Sequence, residues 1–271
     1  MRLEQVVAQL AAHADVDGIV VMGSAATGAL SPASDYDLLV VLSIFREPLF
    51  QTVTEVDGRF AEFYFVPTAS IDAIVMTDDL PRLAREERGL FGGTLLGWIK
   101  TGTIAFDRHG ALDRARQRVR SSWYSPVGAE ERYLAWFRVN YDLAQTTRMA
   151  ASDDPTYATA VDLRLLYTIS DLWRFYFRLR DIPSGGEKAD IRYLREHDPD
   201  VLERFQGLLA EPARQRKLML YRELAAVVLA PVGGLWPQGA TAVQLQPGAD
   251  TGPEAVARAL AVWRSLVGDR S

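Results

Sequence analysis

The stretch that decides the predicted fold is GIVVMGSAATGALSPASDYDLLVVL, residues 18–42. Two apolar runs, residues 18–22 and 38–42, are separated by Gly23-Ser24, an Ala-rich turn and a Ser/Pro loop. Apolar runs of about five residues bounded by turn formers are typical of buried strands. The stretch therefore predicts two buried strands, with a turn that begins where the first one ends.

Two aspartates open the second of these strands. Asp35 and Asp37 stand two positions apart, and side chains at i and i+2 of a strand share one face. Adjacent carboxylates repel each other unless a divalent cation lies between them, and hard oxygen ligands at this density suit Mg²⁺. The alternative is a strand or turn cap without a metal, since Asp and Ser readily satisfy loose backbone N–H groups.

The turn at Gly23 and Ser24 predicts a phosphate site beside these carboxylates. Glycine lets the backbone approach a ligand closely. If residues 24–28 form a short helix, its unpaired N–H groups favour a phosphate. Ser34, directly before the first aspartate, is a further candidate nucleotide-binding residue. A phosphate-binding turn next to metal-binding carboxylates is the arrangement that phosphoryl or nucleotidyl transfer requires.

The order of these parts resembles the polymerase-β-type nucleotidyltransferases, and within them the aminoglycoside-adenylyltransferase type. The resemblance rests on Gly23-Ser24, on Asp35-Tyr36-Asp37 at the head of an apolar strand, and on Ala61-Glu62-Phe63 in a later strand. It implies that Asp35, Asp37 and Glu62 are catalytic metal ligands. It also implies two Mg²⁺ ions and a nucleoside triphosphate, with ATP the first candidate. Glu62 alone could instead be an edge residue of an aromatic strand.

The composition limits the classes of function. The chain has 271 residues, 48% hydrophobic and 24% charged, which is typical of globular proteins. It has no cysteine, which excludes disulfides and thiolate metal sites. A net charge of −5 disfavours a nucleic-acid partner. We find neither an apolar run that could span a bilayer nor a signal-peptide pattern, so we expect a cytoplasmic protein without a membrane partner. The oligomeric state stays open.

The remainder of the first domain alternates between strand and helix patterns. Apolar spacing predicts an amphipathic helix over residues 2–14. Asp57-Gly58 predicts a turn before a third strand. The predicted elements that follow are a strand over 59–66, mainly helix over 68–98 and a closing strand over 102–107. Residues 45–55 fit no single pattern. Residues 111–122 carry arginines at alternate positions, which predicts a solvated linker helix.

Strand patterns are absent from the second half of the sequence. Helical spacing predicts helices over 130–149, 157–180, 187–197, 200–210, 212–230 and 253–267, with a loop over 235–252. The predicted fold class is therefore α+β. An N-terminal mixed-sheet nucleotidyltransferase domain over residues 1–122 precedes an all-helical bundle domain over residues 127–271.

Basic residues surround a Pro/Gly turn in the second domain. Lys188 and Arg192 stand at i and i+4, so they share a helix face. One interpretation is a solvated face paired with neighbouring acids. The other follows from a resemblance to the helical domain of antibiotic-type nucleotidyltransferases, in which a lysine opens a helix that here reads Arg-Tyr-Leu. It implies that Lys188 and Arg192 bind the triphosphate between the domains.

The resemblance implies a function as well as a fold. It is Mg²⁺-dependent transfer of a nucleoside monophosphate to a hydroxyl of an aminoglycoside-like small molecule, with release of pyrophosphate. Residues 1–120 hold 16 Asp and Glu against 12 Lys and Arg, which favours a cationic acceptor. Glu86 and Glu87 are candidates for the base, or else solvated helix residues.

Two alternative functions stay open. The first is modification of a protein partner, as in antitoxin-like nucleotidyltransferases, although members of that kind typically lack a large helical domain. The second is a catalytically inactive nucleotide-binding protein, against which the intact Ser24, Asp35 and Asp37 argue.

Overall fold

The chain forms two compact units, residues 1–125 and 126–271. The computed structural model describes residues 2–47, 49–86, 93–121 and 126–267. The first unit contains a sheet flanked by helices, and the regular elements described in the second unit are all helices. The predicted α+β class is confirmed.

The described residues of the first unit form a five-stranded mixed sheet in the order β3-β4-β2-β1-β5. The strands are β1 (Val16–Val21), β2 (Tyr36–Leu42), β3 (Gln51–Val56), β4 (Arg59–Pro67) and β5 (Thr103–Asp107). The pair β2–β4 is parallel and the other neighbouring pairs are antiparallel. The central strands β1 and β2 are buried on both faces, which explains why they read as continuous apolar runs.

The parallel pairing of β2 and β4 places the first residues of both strands side by side at the same end of the sheet. Tyr36 pairs with Ala61, and Asp37 pairs with Glu62. Residues that are 25 positions apart in the sequence therefore become direct neighbours across the sheet. This register brings the predicted carboxylates together.

Strand β3 (Gln51–Val56) falls almost entirely in residues 45–55, which the sequence pattern left unassigned. It is an edge strand whose residues 52–55 are exposed, so it carries no apolar run. It pairs with β4 through a tight hairpin at Asp57 and Gly58, where φ is +58° and +72°. Two successive positive φ angles are typical of a type I′ turn, as the Asp-Gly pair predicts.

Six described helices belong to the first unit: α1 (Leu3–Ala12), α2 (Gly23–Thr27), α3 (Thr68–Met76), α4 (Leu80–Glu86), α5 (Gly93–Thr101) and α6 (Ala111–Ser121). The prediction that α6 is a solvated linker was wrong. Leu112, Ala115 and Val119 form a buried stripe at helical spacing. Arg116 donates to the carbonyl oxygens of Ile99 at 2.9 Å and Gly102 at 2.6 Å. Of the four arginines in α6, three are exposed and Arg116 is half-buried, so the helix belongs to the core of the unit.

The second unit contains α7 (Ala129–Ala150), α8 (Pro155–Leu179), α9 (Glu187–His197), α10 (Pro199–Ala210), α11 (Arg214–Leu229), a short 3-10 helix (Ala230–Val232) and α12 (Pro253–Val267). These bounds lie within a few residues of those that helical spacing predicts. The core of the unit includes Leu172, Phe177, Phe205 and Tyr221, all nearly inaccessible to solvent. Among the described helices, none is both long enough and apolar enough to cross a membrane.

Candidate active site

Three carboxylates converge where β2 and β4 begin. Asp35 immediately precedes β2, Asp37 is its second residue, and Glu62 is the register partner of Asp37 on β4. One carboxylate oxygen from each of the three lies within 4.8 Å of the others, and all three residues are half-buried. Within the described parts of the chain, no other set of His, Asp or Glu side chains is gathered closely enough to hold a metal ion.

The chemistry of this donor set fits a hard divalent cation. Three carboxylates at this spacing repel one another, and half-burial limits the screening of that repulsion by water. A cation between them reverses the sign of the interaction. Oxygen-only ligands of full negative charge are those that Mg²⁺ prefers. The group therefore meets the requirements of a magnesium site through its own residues.

Gly23 brings the backbone at the end of β1 against these carboxylates. Its φ is +60°, and a Cβ at this position would lie 2.9 Å from Oδ2 of Asp37. The preceding residue, Met22, donates its N–H to the carbonyl oxygen of Asp37 at 2.8 Å. Any side chain at position 23 would therefore meet both a strained backbone and a ligand carboxylate. Ser24 follows in the short helix α2 and is half-buried.

The loop before Asp35 is held in place by Arg59, which the sequence analysis did not identify. The guanidinium Nη1 of Arg59 donates to the carbonyl oxygen of Ser31 at 2.5 Å and to that of Ser34 at 3.1 Å. The Oγ of Ser34 accepts from the N–H of Ser31 at 2.9 Å. The Ser34 hydroxyl thus contributes to the loop itself, and its predicted role as a nucleotide ligand stays a prediction.

Glu62 accepts hydrogen bonds from two side chains that the sequence analysis also missed. Nε2 of Gln51 lies 2.6 Å from Oε1 of Glu62, and the hydroxyl of Tyr64 lies 3.3 Å from the same oxygen. Burial, followed by the charge of Glu62, raises the pKa of Tyr64 to about 12. The phenol is therefore protonated at neutral pH and donates its hydrogen. Only the pairing of β3 with β4, which was not predicted, could have identified Gln51.

Lys188 and Arg192 lie one turn apart on the exposed side of α9, in the second unit. Asp190, between them in sequence, is buried. It accepts from the indole N–H of Trp173 at 3.1 Å and from the Ser184 hydroxyl at 2.7 Å. These bonds hold the Pro/Gly turn against α9. They therefore set the direction in which the chain enters the helix. Triphosphate binding by the two basic residues stays a prediction.

The two candidates for the base cannot be placed. Glu86 is the last residue of α4. Its side chain, like the whole of Glu87, lies outside the described residues.

A family model matches the N-terminal part of the chain. Residues 1–79 match the family model described as a nucleotidyltransferase domain. A search of curated proteins found no match. Among solved structures, the chain is similar to a nucleotidyltransferase-like protein from Exiguobacterium sibiricum 255-15, with a TM-score of 0.42 and 16% identity over 84% of this chain and 73% of that one. The matched segment contains the Gly23 turn and all three carboxylates. The N-terminal unit of this chain therefore carries a segment, residues 1–79, that matches a nucleotidyltransferase domain.

Proposed function

We propose that this chain is a Mg²⁺-dependent enzyme that transfers a nucleoside monophosphate from a nucleoside triphosphate to a hydroxyl of a small molecule. The observation that carries the proposal is the convergence of Asp35, Asp37 and Glu62 within 4.8 Å at the edge of a nucleotidyltransferase sheet. Strand pairing brings Asp37 beside Glu62, and Asp35 is the residue immediately before β2. A carboxylate group of this kind is what metal-assisted phosphoryl transfer needs.

Each residue of the site has a role in this reaction. Asp35 and Asp37 would bind both metal ions, and Glu62 would bind one. Bound Mg²⁺ supplies charge neutralisation at the α-phosphate and a lowered pKa for the attacking hydroxyl. Gly23 leaves room for a phosphate close to the backbone because it lacks a Cβ. The acceptor oxygen forms the new bond to the α-phosphorus, and the bond to the pyrophosphate oxygen breaks.

The acceptor in this proposal is a small, hydroxyl-bearing and preferably cationic molecule of the aminoglycoside kind. The acidic excess of residues 1–120 supports it, since a negative field concentrates cationic substrates and repels nucleic acid. ATP is the nucleotide we propose first. We also assign triphosphate binding to Lys188 and Arg192, supported by their shared exposed face on α9. A lysine acts on phosphate as a point charge.

The proposal is tested with Asp37→Asn. We expect turnover to fall by at least about a thousandfold, because several kcal/mol of charge stabilisation in the transition state depend on the metal ligands. The variant should retain a cooperative thermal transition. Asp57→Asn is the matched control, since Asp57 lies in the hairpin turn at φ +58° and asparagine accepts that conformation readily. Turnover of any nucleoside triphosphate at the wild-type rate by Asp37→Asn would refute the assignment of the metal ligands.

The acceptor and nucleotide are tested by a labelling screen. Each of ATP, GTP, CTP and UTP, labelled at the α-phosphate, is incubated with Mg²⁺ and aminoglycosides, lincosamides or simple sugars. Transfer of label to one of these compounds supports the small-molecule acceptor. Label on a co-purifying protein, with none on the compounds, would replace it by the protein-modifying alternative.

The role of Lys188 is tested by calorimetry. We expect Lys188→Ala to weaken triphosphate binding by about tenfold, with less effect on the acceptor, because the lost interaction is with phosphate. Equal triphosphate affinity in the variant would return Lys188 to a solvated helix face.

A further inference from the structure

We propose that Gln51 and Tyr64 are positioning residues that orient Glu62 toward the metal. This inference rests on the proposed function, because it assigns a task to groups that touch a proposed ligand. Both side chains donate a hydrogen bond to one and the same oxygen, Oε1 of Glu62, at 2.6 Å and 3.3 Å.

The sharing of one oxygen has a consequence for ligation. A carboxylate oxygen has two lone pairs in its plane, and two donors on Oε1 occupy them. The second oxygen, Oε2, is then the one that is presented to the cation. A glutamate has three rotatable side-chain bonds, and without such donors its carboxylate would sample several orientations. Gln51 and Tyr64 remove this freedom before the metal binds.

The sheet itself places the two donors. Glu62 and Tyr64 stand at i and i+2 on β4, so their side chains share a face. Gln51, on the neighbouring strand β3, is the register partner of Tyr64. It is therefore diagonal to Glu62, a distance that a long side chain spans. Each donor thus reaches Oε1 from a strand rather than from a loop.

Aromatic packing further restricts the phenol. The ring of Tyr64 packs against Trp98 with centroids 4.8 Å apart, and it meets Phe50 edge-on at 6.5 Å. Ring contacts of this kind favour particular arrangements of the two planes. The hydroxyl direction is therefore determined by the ring packing, and the donor is in place before a ligand arrives.

The chemistry of the donors suits a metal ligand. An arginine at the same place would compete with the cation for the charge of Glu62. An amide and a phenol orient the carboxylate while its full negative charge stays available to the metal. Groups that hydrogen-bond to a metal ligand fix its orientation, and their loss typically weakens metal binding by about 10- to 100-fold.

The test measures metal binding directly and without nucleotide. Mn²⁺ replaces Mg²⁺, and free Mn²⁺ is counted by electron paramagnetic resonance in the full chain. The variants are Gln51→Met, which keeps the length of the side chain but removes the donor, and Tyr64→Phe, which keeps the ring contacts. We expect the Kd for Mn²⁺ to rise about tenfold in Gln51→Met and about threefold in Tyr64→Phe, whose bond is longer.

Thr52→Ala is the matched control. Thr52 is exposed on the same strand, and its side chain points to the opposite face of the sheet. Its Kd for Mn²⁺ should equal that of the wild type. In turnover assays, raising Mg²⁺ should restore the rate of Gln51→Met and Tyr64→Phe to the wild-type value, because the lost free energy lies in metal binding. A damaged fold would not respond to Mg²⁺ in this way.

The outcomes separate this inference from the proposed function. If the wild type binds Mn²⁺, Asp37→Asn does not, and a variant at position 51 or 64 binds as tightly as the wild type, that residue is not a positioning residue. The proposed function would be unaffected. If the wild type and Asp37→Asn bind Mn²⁺ equally poorly, the metal site itself is refuted. If Gln51→Met lacks a cooperative thermal transition, Gln51→Ala and the conservative Tyr64→Phe decide the question by the same measurement.

Discussion

The two units of the protein arrange their buried and half-buried carboxylates in opposite ways. In the first unit, Asp35, Asp37 and Glu62 lie within 4.8 Å of one another. In the second unit, the buried carboxylates are separated along the helices and each has its own donor. Asp142 pairs with Arg164 at 2.7 Å, and Asp171 pairs with Arg174 at 2.8 Å.

This difference in pairing distinguishes carboxylates that support the fold, in the second unit, from carboxylates that are gathered for a function, in the first. Removing one partner of a buried carboxylate–arginine pair leaves an unpaired buried charge, which is strongly destabilising. Carboxylates that are gathered together oppose folding through their repulsion, so a cluster of this kind indicates a cation that binds later. Removing a carboxylate should therefore have opposite effects on stability in the two units.

The largest effect on stability is expected at Asp190 in the second unit. Asp190→Ala removes the acceptor from Trp173, Ser184 and the N–H of Gly185. Leaving a buried donor unsatisfied costs about 1–3 kcal/mol, and Trp173 is the donor residue of the three that is not exposed, so we expect a loss of about 2 kcal/mol in the free energy of unfolding, measured with urea. A change below about 1 kcal/mol would mean that Asp190 does not fix the turn before α9.

A smaller effect, on activity, is expected at Gly23. Gly23→Ala should lower turnover by about tenfold, because the new Cβ meets Asp37 and a positive φ strains an L residue. Gly28→Ala is the control, since its φ is +71° but nothing lies within 4 Å of its Cβ. Both variants carry the backbone strain, and the difference in turnover isolates the contact with Asp37. Equal turnover in the two would refute a role for close approach at position 23.

Arg59 offers a finer test of the first unit. Arg59→Ala removes two hydrogen bonds to loop carbonyls, each with a net contribution of about 1 kcal/mol. We expect the KM for nucleotide to rise about threefold to tenfold, since the loop leads directly into Asp35. Arg114→Ala serves as the control, because Arg114 donates to the carbonyl oxygen of His109 elsewhere in the same unit. An equal KM in wild type and Arg59→Ala would show that the loop keeps its conformation without the guanidinium.

The smallest effect has the opposite sign. With Mg²⁺ removed by a chelator, Asp37→Asn should raise the free energy of unfolding by about 1 kcal/mol, the repulsion between two unit charges about 4 Å apart in bulk water. With Mg²⁺ present, the wild type should gain stability and the variant should not. The measurement is urea unfolding under both conditions. Destabilisation of the chelated variant would place Asp37 with the structural carboxylates of the second unit.

Much of the fold was predictable because most elements carry a local pattern. The buried strands β1 and β2 read as apolar runs, and the helices from α7 to α12 show helical spacing. Strand β3 was missed because its residues are exposed, and it exists only through pairing with β4. Helix α6 was wrongly predicted to be solvated. Its alternate arginines dominate the sequence pattern, whereas its buried stripe consists of only Leu112, Ala115 and Val119.

The candidate site was predictable only in part. Asp35 and Asp37 form a motif within three residues, and Glu62 follows from the resemblance to a family. Gln51, Arg59 and Tyr64 belong to no motif. Their relation to the site depends on the register of β3 with β4 and on hydrogen bonds from the Arg59 guanidinium to loop carbonyls. Neither can be read from local composition.

The parallel pairing of β2 with β4 has a consequence for how this protein tolerates change. The separation of Asp37 and Glu62 equals the spacing of neighbouring strands, about 4.8 Å in any sheet. The backbone hydrogen bonds between β2 and β4 therefore set the distance between these two ligands. Substitutions in residues 43–47, part of the connection that precedes β3, leave that strand spacing unchanged. We expect substitutions there to preserve the site, whereas a one-residue slip between β2 and β4 would turn Glu62 to the other face and abolish the site in a single step.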